Sequence, residues 1–253
     1  MLKLIKILWK NKVSKIGVLV LITIFIGVFS SWYIKIFNQN IKYFNGGELL
    51  QINLVESTKY EGNYLGETVL VNVKNANEKT GEVIVEYTLP NNLYFRYSVF
   101  IEKVNEDQGK VRILQDNKEI YNGFYNYSSP VFLYNKNKEP YTDDIVRYIV
   151  DNEYYPDDYI PSVSSTVKFA VGYGVEKRGE IYPVIMFFIV LVILLIDIKF
   201  PLLLFKLHNF MSVRDPEPSD FYIFMQKLGW YIIYPICLIV LLFMGIMGKS
   251  MVR

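Results

Sequence analysis

The sequence predicts an α+β membrane protein in which three transmembrane helices accompany an extracytoplasmic antiparallel β-sandwich or small barrel, placed between the first and second helices. Three long apolar runs, residues 16–37, 181–205 and 228–247, frame one polar block over residues 38–180. Each run approaches or exceeds the roughly 20 apolar residues that cross a bilayer. Within the polar block, short alternating segments separated by turn residues are typical of antiparallel strands.

The chain begins with a basic segment, residues 1–15, that holds five lysines and no acidic residue. The positive-inside rule places such a segment in the cytoplasm. We therefore expect a multi-pass protein of the cell (plasma) membrane, with its N-terminus inside and the polar block outside. Counting the spans onwards puts the short C-terminal tail, residues 248–253, outside as well.

Residues 16–37 predict the first transmembrane helix. A cleaved signal peptide is the rival interpretation, because a basic segment followed by an apolar one also has that form. The run continues, however, through an aromatic cluster that includes Trp32, Tyr33 and Phe37, and such a cluster suits the outer interface of a membrane. No A-x-A cleavage site follows, so we expect an uncleaved signal anchor.

Eight short segments of the polar block predict strands. The clearest alternation lies in residues 82–88, where valine and tyrosine side chains share one face. A helix is expected from residue 143 to about residue 154, with Thr142 as its N-cap. The predicted strands are residues 48–54, 68–73, 82–88, 94–104, 110–115, 118–122, 131–134 and 164–173.

The polar block is acidic overall. Residues 41–180 hold 21 acidic residues against 15 basic ones, a net charge of −6, whereas the whole chain carries +2. Nucleic acid is therefore not an expected partner. Because Cys237 is the sole cysteine, the outer domain has to fold without a disulfide. No motif in the chain implies a cofactor.

Nine tyrosines fall between residues 121 and 159. Such a density fits a contact surface, because the ring offers a large area and the hydroxyl finds polar partners. The alternative is that these tyrosines are core residues of strands. The candidate contact residues are Tyr121, Tyr125, Tyr127, Tyr154, Tyr155 and Tyr159.

Acidic residues cluster between residues 151 and 158 of the polar block. Asp151, Glu153, Asp157 and Asp158 are weak calcium candidates, because carboxylates bind calcium outside cells. They lack EF-hand spacing, and a solvated helix and turn explains them equally simply. We therefore predict no metal site.

The outer domain lacks the side chains that several common classes of enzyme require. The sole histidine, His208, lies on the predicted cytoplasmic side, so the outer domain cannot hold a Ser-His-Asp triad or a multi-histidine zinc site. No G-x-S-x-G or Walker loop occurs. We predict a non-enzymatic protein; an envelope hydrolase with two close carboxylates stays open, as does a serine-lysine pair, which needs no histidine.

The second apolar run, residues 181–205, predicts a transmembrane helix with an interfacial extension. Asp197 and Lys199 come where this span reaches the cytoplasm, and ionisable groups inside a bilayer are functional candidates. About 16 apolar residues precede Asp197, which favours anchoring at the interface. Residues 206–227 are predicted to form a cytoplasmic loop.

The third run, residues 228–247, predicts the last transmembrane helix. Pro235 is expected to kink it, because proline lacks the N–H of a helical hydrogen bond. Taken together, these features predict an integral cell-envelope protein that binds a protein or envelope component through its outer domain, as an accessory subunit of a membrane complex. Its expected partners are the lipid bilayer and a membrane or extracytoplasmic protein. The alternative is a channel or transporter subunit that uses Asp197, Lys199 and the kinked helix, and burial of Asp197 in a helix bundle would favour it.

Overall fold

The chain divides into two compact units: a β-unit, Gln39–Lys177, and a helical unit formed by the residues on either side of it. Several predictions fall outside the described residues: most of the basic N-terminal segment, the helix over residues 143–154, and the tail 248–253. The computed structural model describes residues 12–64, 66–76, 80–142, 155–203, 205 and 217–247.

The β-unit contains one antiparallel sheet of eleven strands. Strands β1 to β10 pair with their neighbours in chain order, and β11 adds to the free side of β1. The sheet is therefore a meander whose end strands are β10 and β11. The strands are β1 Asn40–Phe44, β2 Gly47–Asn53, β3 Ser57–Tyr64, β4 Glu67–Lys74, β5 Thr80–Leu89, β6 Leu93–Lys103, β7 Gln108–Gln115, β8 Lys118–Asn126, β9 Leu133–Asn135, β10 Pro140–Tyr141 and β11 Val175–Lys177.

The sheet curls strongly around one face. Phe44 of β1 and Tyr87 of β5 have ring centroids 5.7 Å apart, although four strand spacings separate their strands. In a flat sheet those spacings would amount to about 19 Å. The sheet is nevertheless not closed, since hydrogen bonds do not join β10 to β11. The predicted sandwich or barrel arrangement is therefore not confirmed, whereas the antiparallel sheet is.

The inner face of the curled sheet forms the core of the β-unit. Alternate residues of the central strands, such as Val71, Val85, Val99 and Ile113, are fully buried because successive side chains in a strand point to opposite faces. Each such side chain contributes about 1.5–3 kcal/mol of burial free energy. The core thus extends without interruption from β1 to β9.

A helix, α2 Val163–Ala170, covers part of this core. The sequence predicts a strand over residues 164–173, and that prediction is wrong. The Ser162 side chain accepts a hydrogen bond from the Ser165 N–H at 3.0 Å, which caps the helix start. Val167 and Phe169 are buried against the sheet. The β-branched composition favours a strand, but the cap and the helical spacing of the buried residues prevail.

Among its described residues, the helical unit holds three helices that are long and apolar enough to cross a membrane: Ile16–Phe37, Ile181–Lys199 and Asp220–Met247. These features support a multi-pass membrane protein. The third helix begins at Asp220, inside the predicted loop, because Ser219 accepts the Tyr222 N–H and caps it there. The elements are α1 Lys12–Phe37, α3 Ile181–Lys199, α4 Asp220–Leu228, a π-helical segment Gly229–Ile233 and α5 Tyr234–Met247.

The three long helices meet at one end of the helical unit, around Gly245. The Tyr33 hydroxyl of α1 donates to the Leu242 carbonyl of α5 at 3.1 Å. The Glu180 N–H, just before α3, donates to the Gly245 carbonyl at 2.9 Å. A side chain at position 245 would collide with the Tyr33 hydroxyl, so glycine permits this approach.

Candidate functional site

A buried carboxylate lies near the end of α3. Asp197 is 5% exposed. Its Oδ1 accepts a hydrogen bond from Gln226 Nε2 of α4 at 3.0 Å, and its Oδ2 accepts one from Trp230 Nε1 of the π-helical segment at 2.5 Å. We call these three residues the Asp197 cluster. They join the second span to the third through side chains.

The donors belong to a row of polar and aromatic side chains on the third span. Tyr222, Gln226, Trp230 and Tyr234 follow one another at a spacing of four, which keeps them along one helix face. Both tyrosines lie within electrostatic range of Asp197. This face of the third span is therefore the one turned towards α3.

The π-helical segment explains how Trp230 reaches the carboxylate. It ends where the Tyr234 N–H donates to the Gly229 carbonyl, five residues back. The next residue, Pro235, cannot donate a hydrogen bond, and its ring would clash with the carbonyl four residues before it. A wider turn accommodates proline, and such turns are frequent at functional sites. The helix before Pro235 therefore contains a π-helical segment that carries Trp230. The kink expected at Pro235 stays a prediction.

Lys199 is not part of the cluster. It follows Asp197 by two residues, a spacing that turns side chains away from one another on a helix. Its ammonium lies 5.4 Å from the centroid of the Phe200 ring. Among the ion pairs formed by described residues, none involves Asp197. The carboxylate therefore depends on two neutral donors, which sequence reasoning missed.

The candidate tyrosines of the β-unit do not form a surface. Tyr121, Tyr125, Tyr155 and Tyr159 are all buried, so they cannot make an exposed contact area. The Tyr121 hydroxyl, for example, donates to the Tyr134 carbonyl at 2.7 Å. The core alternative holds for these four: strand alternation points Tyr121 and Tyr125 of β8 inward, and Tyr155 and Tyr159, in the non-strand segment before α2, pack in the same core. Tyr154 lies outside the described residues.

Tyr127 has a different role. Its ring stacks on Tyr173, with centroids 4.9 Å apart, and on Phe132 at 6.2 Å. Its hydroxyl donates to the Val171 carbonyl at 3.3 Å. Burial raises the pKa of Tyr127 above its usual range. The stack joins the end of β8 to the turn before β11, which brings two distant parts of the sheet together.

The calcium candidates are only partly described. Asp157 and Asp158 lie in an exposed turn, whereas Asp151 and Glu153 fall outside the described residues. Over the described ranges, no group of three or more histidine, cysteine or acidic side chains is placed to hold a metal ion.

A lysine is buried in the core of the β-unit. Lys42 of β1 is 4% exposed. Its ammonium donates to the Lys168 carbonyl at 2.7 Å and lies 4.1 Å from the centroid of the Phe169 ring. Burial, and next the charge of Lys168, lowers the pKa of Lys42 to about 7. No sequence pattern indicates this site, because the predicted strands do not include β1.

The outer face of the sheet carries a groove of about 550 Å³ across β5 to β8. The guanidinium of Arg112 lies 4.9 Å from the centroid of the Phe100 ring. Lys110 forms an ion pair with Glu102 at 3.2 Å. One wall is therefore basic and the other acidic. The polar lining residues are Glu82, Glu102, Lys110, Arg112 and Asn122.

The match to a known family lies within the helical unit. Residues 186–248 match the sequence model of a family of unknown function, DUF6199. The chain is similar to this family over its last two spans. The matched segment is 63 of 253 residues, about a quarter of the chain, and it contains the whole Asp197 cluster. No curated protein and no solved structure matches the chain.

Proposed function

We propose that this chain is a non-enzymatic, integral protein of the cell envelope whose β-unit lies outside the membrane and binds a protein or another envelope component. It serves as an accessory subunit of a membrane complex. The groove across β5 to β8 is the observation that carries this proposal. The exposed apolar side chains of the long helices, such as Leu21, Phe25 and Phe188, support contact with the lipid bilayer.

The chemistry of the groove fits a protein segment that carries both charge signs. Arg112 and Lys110 line the side formed by β7, whereas Glu82 and Glu102 come from β5 and β6. Stacking on Phe100 restrains the Arg112 guanidinium, which is suited to a bidentate contact with a carboxylate. Arginine and aromatic residues also carry much of the binding energy at protein interfaces.

The filled interior of the β-unit supports recognition at its outer surface. Large side chains such as Tyr60, Tyr87, Tyr97 and Tyr125 occupy the inner face and are fully buried. A small-barrel form of the sheet belongs to this proposal, and the curl and the stacking of Tyr127 support it. The uncleaved signal anchor, the cytoplasmic N-terminus and the external C-terminus are also parts of this proposal.

Site-specific photo-crosslinking in the native host tests this function. A photoreactive residue in place of Phe100 should capture one protein in high yield, and one in place of Lys59, on the outer face of β3, should not. In the Phe100 version, Arg112→Glu should abolish the product, and Lys59→Glu should leave it unchanged. Equal capture from both positions, or no protein product, would refute binding at this groove.

A channel or transporter subunit is the second candidate function, and the burial of Asp197 favours it. Burying an ionisable group within a membrane costs free energy, so such groups are rare and usually belong to a transport pathway or an ion pair. In liposomes that contain the purified protein, an ion flux abolished by Asp197→Asn would support this candidate. A flux that survives the substitution, or no flux above that of empty liposomes, would argue against it.

A further inference from the structure

The Asp197 cluster has an unusual set of hydrogen-bonding partners. Each carboxylate oxygen accepts one hydrogen bond from a neutral side chain, Oδ1 from Gln226 and Oδ2 from Trp230. The indole N–H can only donate, whereas a carboxamide carries a donor group and an acceptor group. The two partners therefore differ in what they can do if the carboxylate changes its charge.

The cluster can satisfy both protonation states of the carboxyl group. When Asp197 is ionised, both partners donate, as the structure shows. When a proton adds to Oδ1, that oxygen becomes a donor. A half-turn of the Gln226 amide then presents Oε1 as the acceptor, and Trp230 continues to donate to Oδ2. Because the amide N and O are nearly the same size, the half-turn needs no extra space.

We propose that Asp197 is a reversible proton-binding site of the helical unit, with Gln226 as the partner that exchanges its donor for its acceptor. Proton uptake forms one O–H bond on Asp197 and breaks one O–H bond of the hydronium ion that delivers the proton; within the protein only hydrogen bonds are exchanged. Among the described residues, the other ionisable groups near the site include Tyr222 and Tyr234 on the third span and Lys199 on α3. This inference goes beyond the proposed function and does not depend on the groove.

Such a site takes up a proton without separating the two spans. A carboxyl group whose only partners were donors would lose a hydrogen bond on protonation, and a buried polar group left unpaired costs about 1–3 kcal/mol. The Gln226 carboxamide avoids that loss. The site can therefore load and release protons while α3 stays attached to α4, which is the property that a proton relay or a proton sensor in a membrane requires.

Infrared difference spectroscopy on the full-length protein in lipid nanodiscs tests the proposal. Between about pH 9 and about pH 4, the wild type should show a protonated carboxyl band that is missing from Asp197→Asn, in addition to the bands that the exposed carboxylates give in both proteins. Asp220→Asn, which changes an exposed carboxylate in the first turn of α4, should retain the band. If no Asp197-dependent band appears while the protein stays folded, the carboxylate is purely structural and the proposal is overturned.

The role of Gln226 needs a second variant. Gln226→Lys offers only donors, so the Asp197 band should be lost throughout this pH range. Retention of the band in that variant would exclude Gln226 as the exchanging partner. If Gln226→Lys does not fold, the second measurement below decides the point.

Spin labels at Leu195 and Phe224, both exposed, would report the separation of the two spans in a Cys237→Ser background. The distance should be the same at acidic and neutral pH in the wild type. A distance that changes with the carboxyl band would show that protonation opens the cluster, contrary to the proposal.

Discussion

The two units each bury one charged residue, and they hold it in opposite ways. In the β-unit, the ammonium of Lys42 donates to a backbone carbonyl and lies against an aromatic ring. In the helical unit, Asp197 accepts hydrogen bonds from two side chains. Among the described residues, these are the only two charged side chains that are buried.

The difference lies in what each partner can exchange. The Lys168 carbonyl that holds Lys42 is fixed in the last turn of α2 and can only accept. Because carbonyls at a helix C-terminus favour a cation, Lys42 fastens α2 to β1. The Gln226 amide that holds Asp197 can both donate and accept. The partner of Lys42 therefore accepts only the donor that the ammonium presents, whereas the partner of Asp197 is suited to a change of state.

The largest predicted effect is the removal of the buried lysine. The pKa of Lys42 falls from 10.5 to about 7, so the folded β-unit binds fewer protons than the unfolded chain between these values. Stability of the β-unit therefore rises with pH across this window, and the full penalty acts below about pH 7. We expect Lys42→Met to stabilise the β-unit at pH 6 by about 3–5 kcal/mol, with the gain vanishing towards pH 10.5.

Near-ultraviolet circular dichroism during denaturant unfolding of the full-length protein measures this effect through the tyrosines of the core. Lys59→Met is the matched control, because Lys59 lies on the outer face in an exposed ion pair with Glu61. It should change stability by less than about 1 kcal/mol at any pH. A gain from Lys42→Met that is the same at pH 6 and pH 10 would contradict the prediction.

The second effect concerns a helix contact that uses no charge. Gly245→Val should weaken the packing of the three spans by about 3 kcal/mol, because the new side chain would collide with the Tyr33 hydroxyl and disturb its hydrogen bond to Leu242. Thermal unfolding in detergent, followed by helical circular dichroism, measures the loss. Gly17→Val is the control, since nothing lies within 4 Å of the position of its Cβ. Equal losses in both variants would show that valine is costly anywhere in these spans.

The third effect tests the Asp197 cluster itself. Gln226→Leu removes one of two donors to a buried carboxylate, and a hydrogen bond to a charged group contributes about 1.5–3 kcal/mol. The attachment of α3 to α4 should weaken by about 2 kcal/mol, measured as a wider spin-label distance distribution across the two spans. Gln51→Leu, which removes a carboxamide that donates to Asn53 within the β-unit, should leave that distribution unchanged. An unchanged distribution in Gln226→Leu would mean that the hydrogen bond from Trp230 is enough to keep α3 attached to the third span.

Much of the architecture could be predicted because it follows from local patterns. Long apolar runs predict the three long helices, and strand alternation predicts β2 and β4 to β7 to within about two residues at each end, but only the first half of β8 and part of β9. Strand β1 was missed because Lys42 occupies an inward position, where an apolar residue is the usual signal. Helix α2 was taken for a strand because its β-branched residues outweighed the Ser162 cap in the sequence pattern. In both places a tertiary contact overrides the local preference.

The partners of Asp197 could not be predicted from local sequence patterns. The sequence marks Asp197 as an ionisable residue in a span, but its partners are 29 and 33 residues further along the chain. Only the spacing of Gln226 and Trp230 in the third span hints at a polar face. Which span that face meets depends on packing, and the π-helical turn before Pro235 decides where the indole points.

The smallest predicted effect isolates that π-helical turn. Pro235→Ala restores the N–H that proline lacks, so the helix should continue in the α form and turn Trp230 away from Asp197. The loss of this hydrogen bond should be partly offset by better helix geometry, for a net change of about 1 kcal/mol.

The indole N–H resonance of Trp230, measured by NMR in detergent, reports the change directly. In Pro235→Ala it should move away from its wild-type position, in the direction that Asp197→Ala also produces. Pro183→Ala, in the first turn of α3 where proline is tolerated, should leave the resonance in place. A wild-type resonance in Pro235→Ala would mean that packing against α3, and not the proline, imposes the π-helical turn. The carboxylate would then select the helix geometry that serves it.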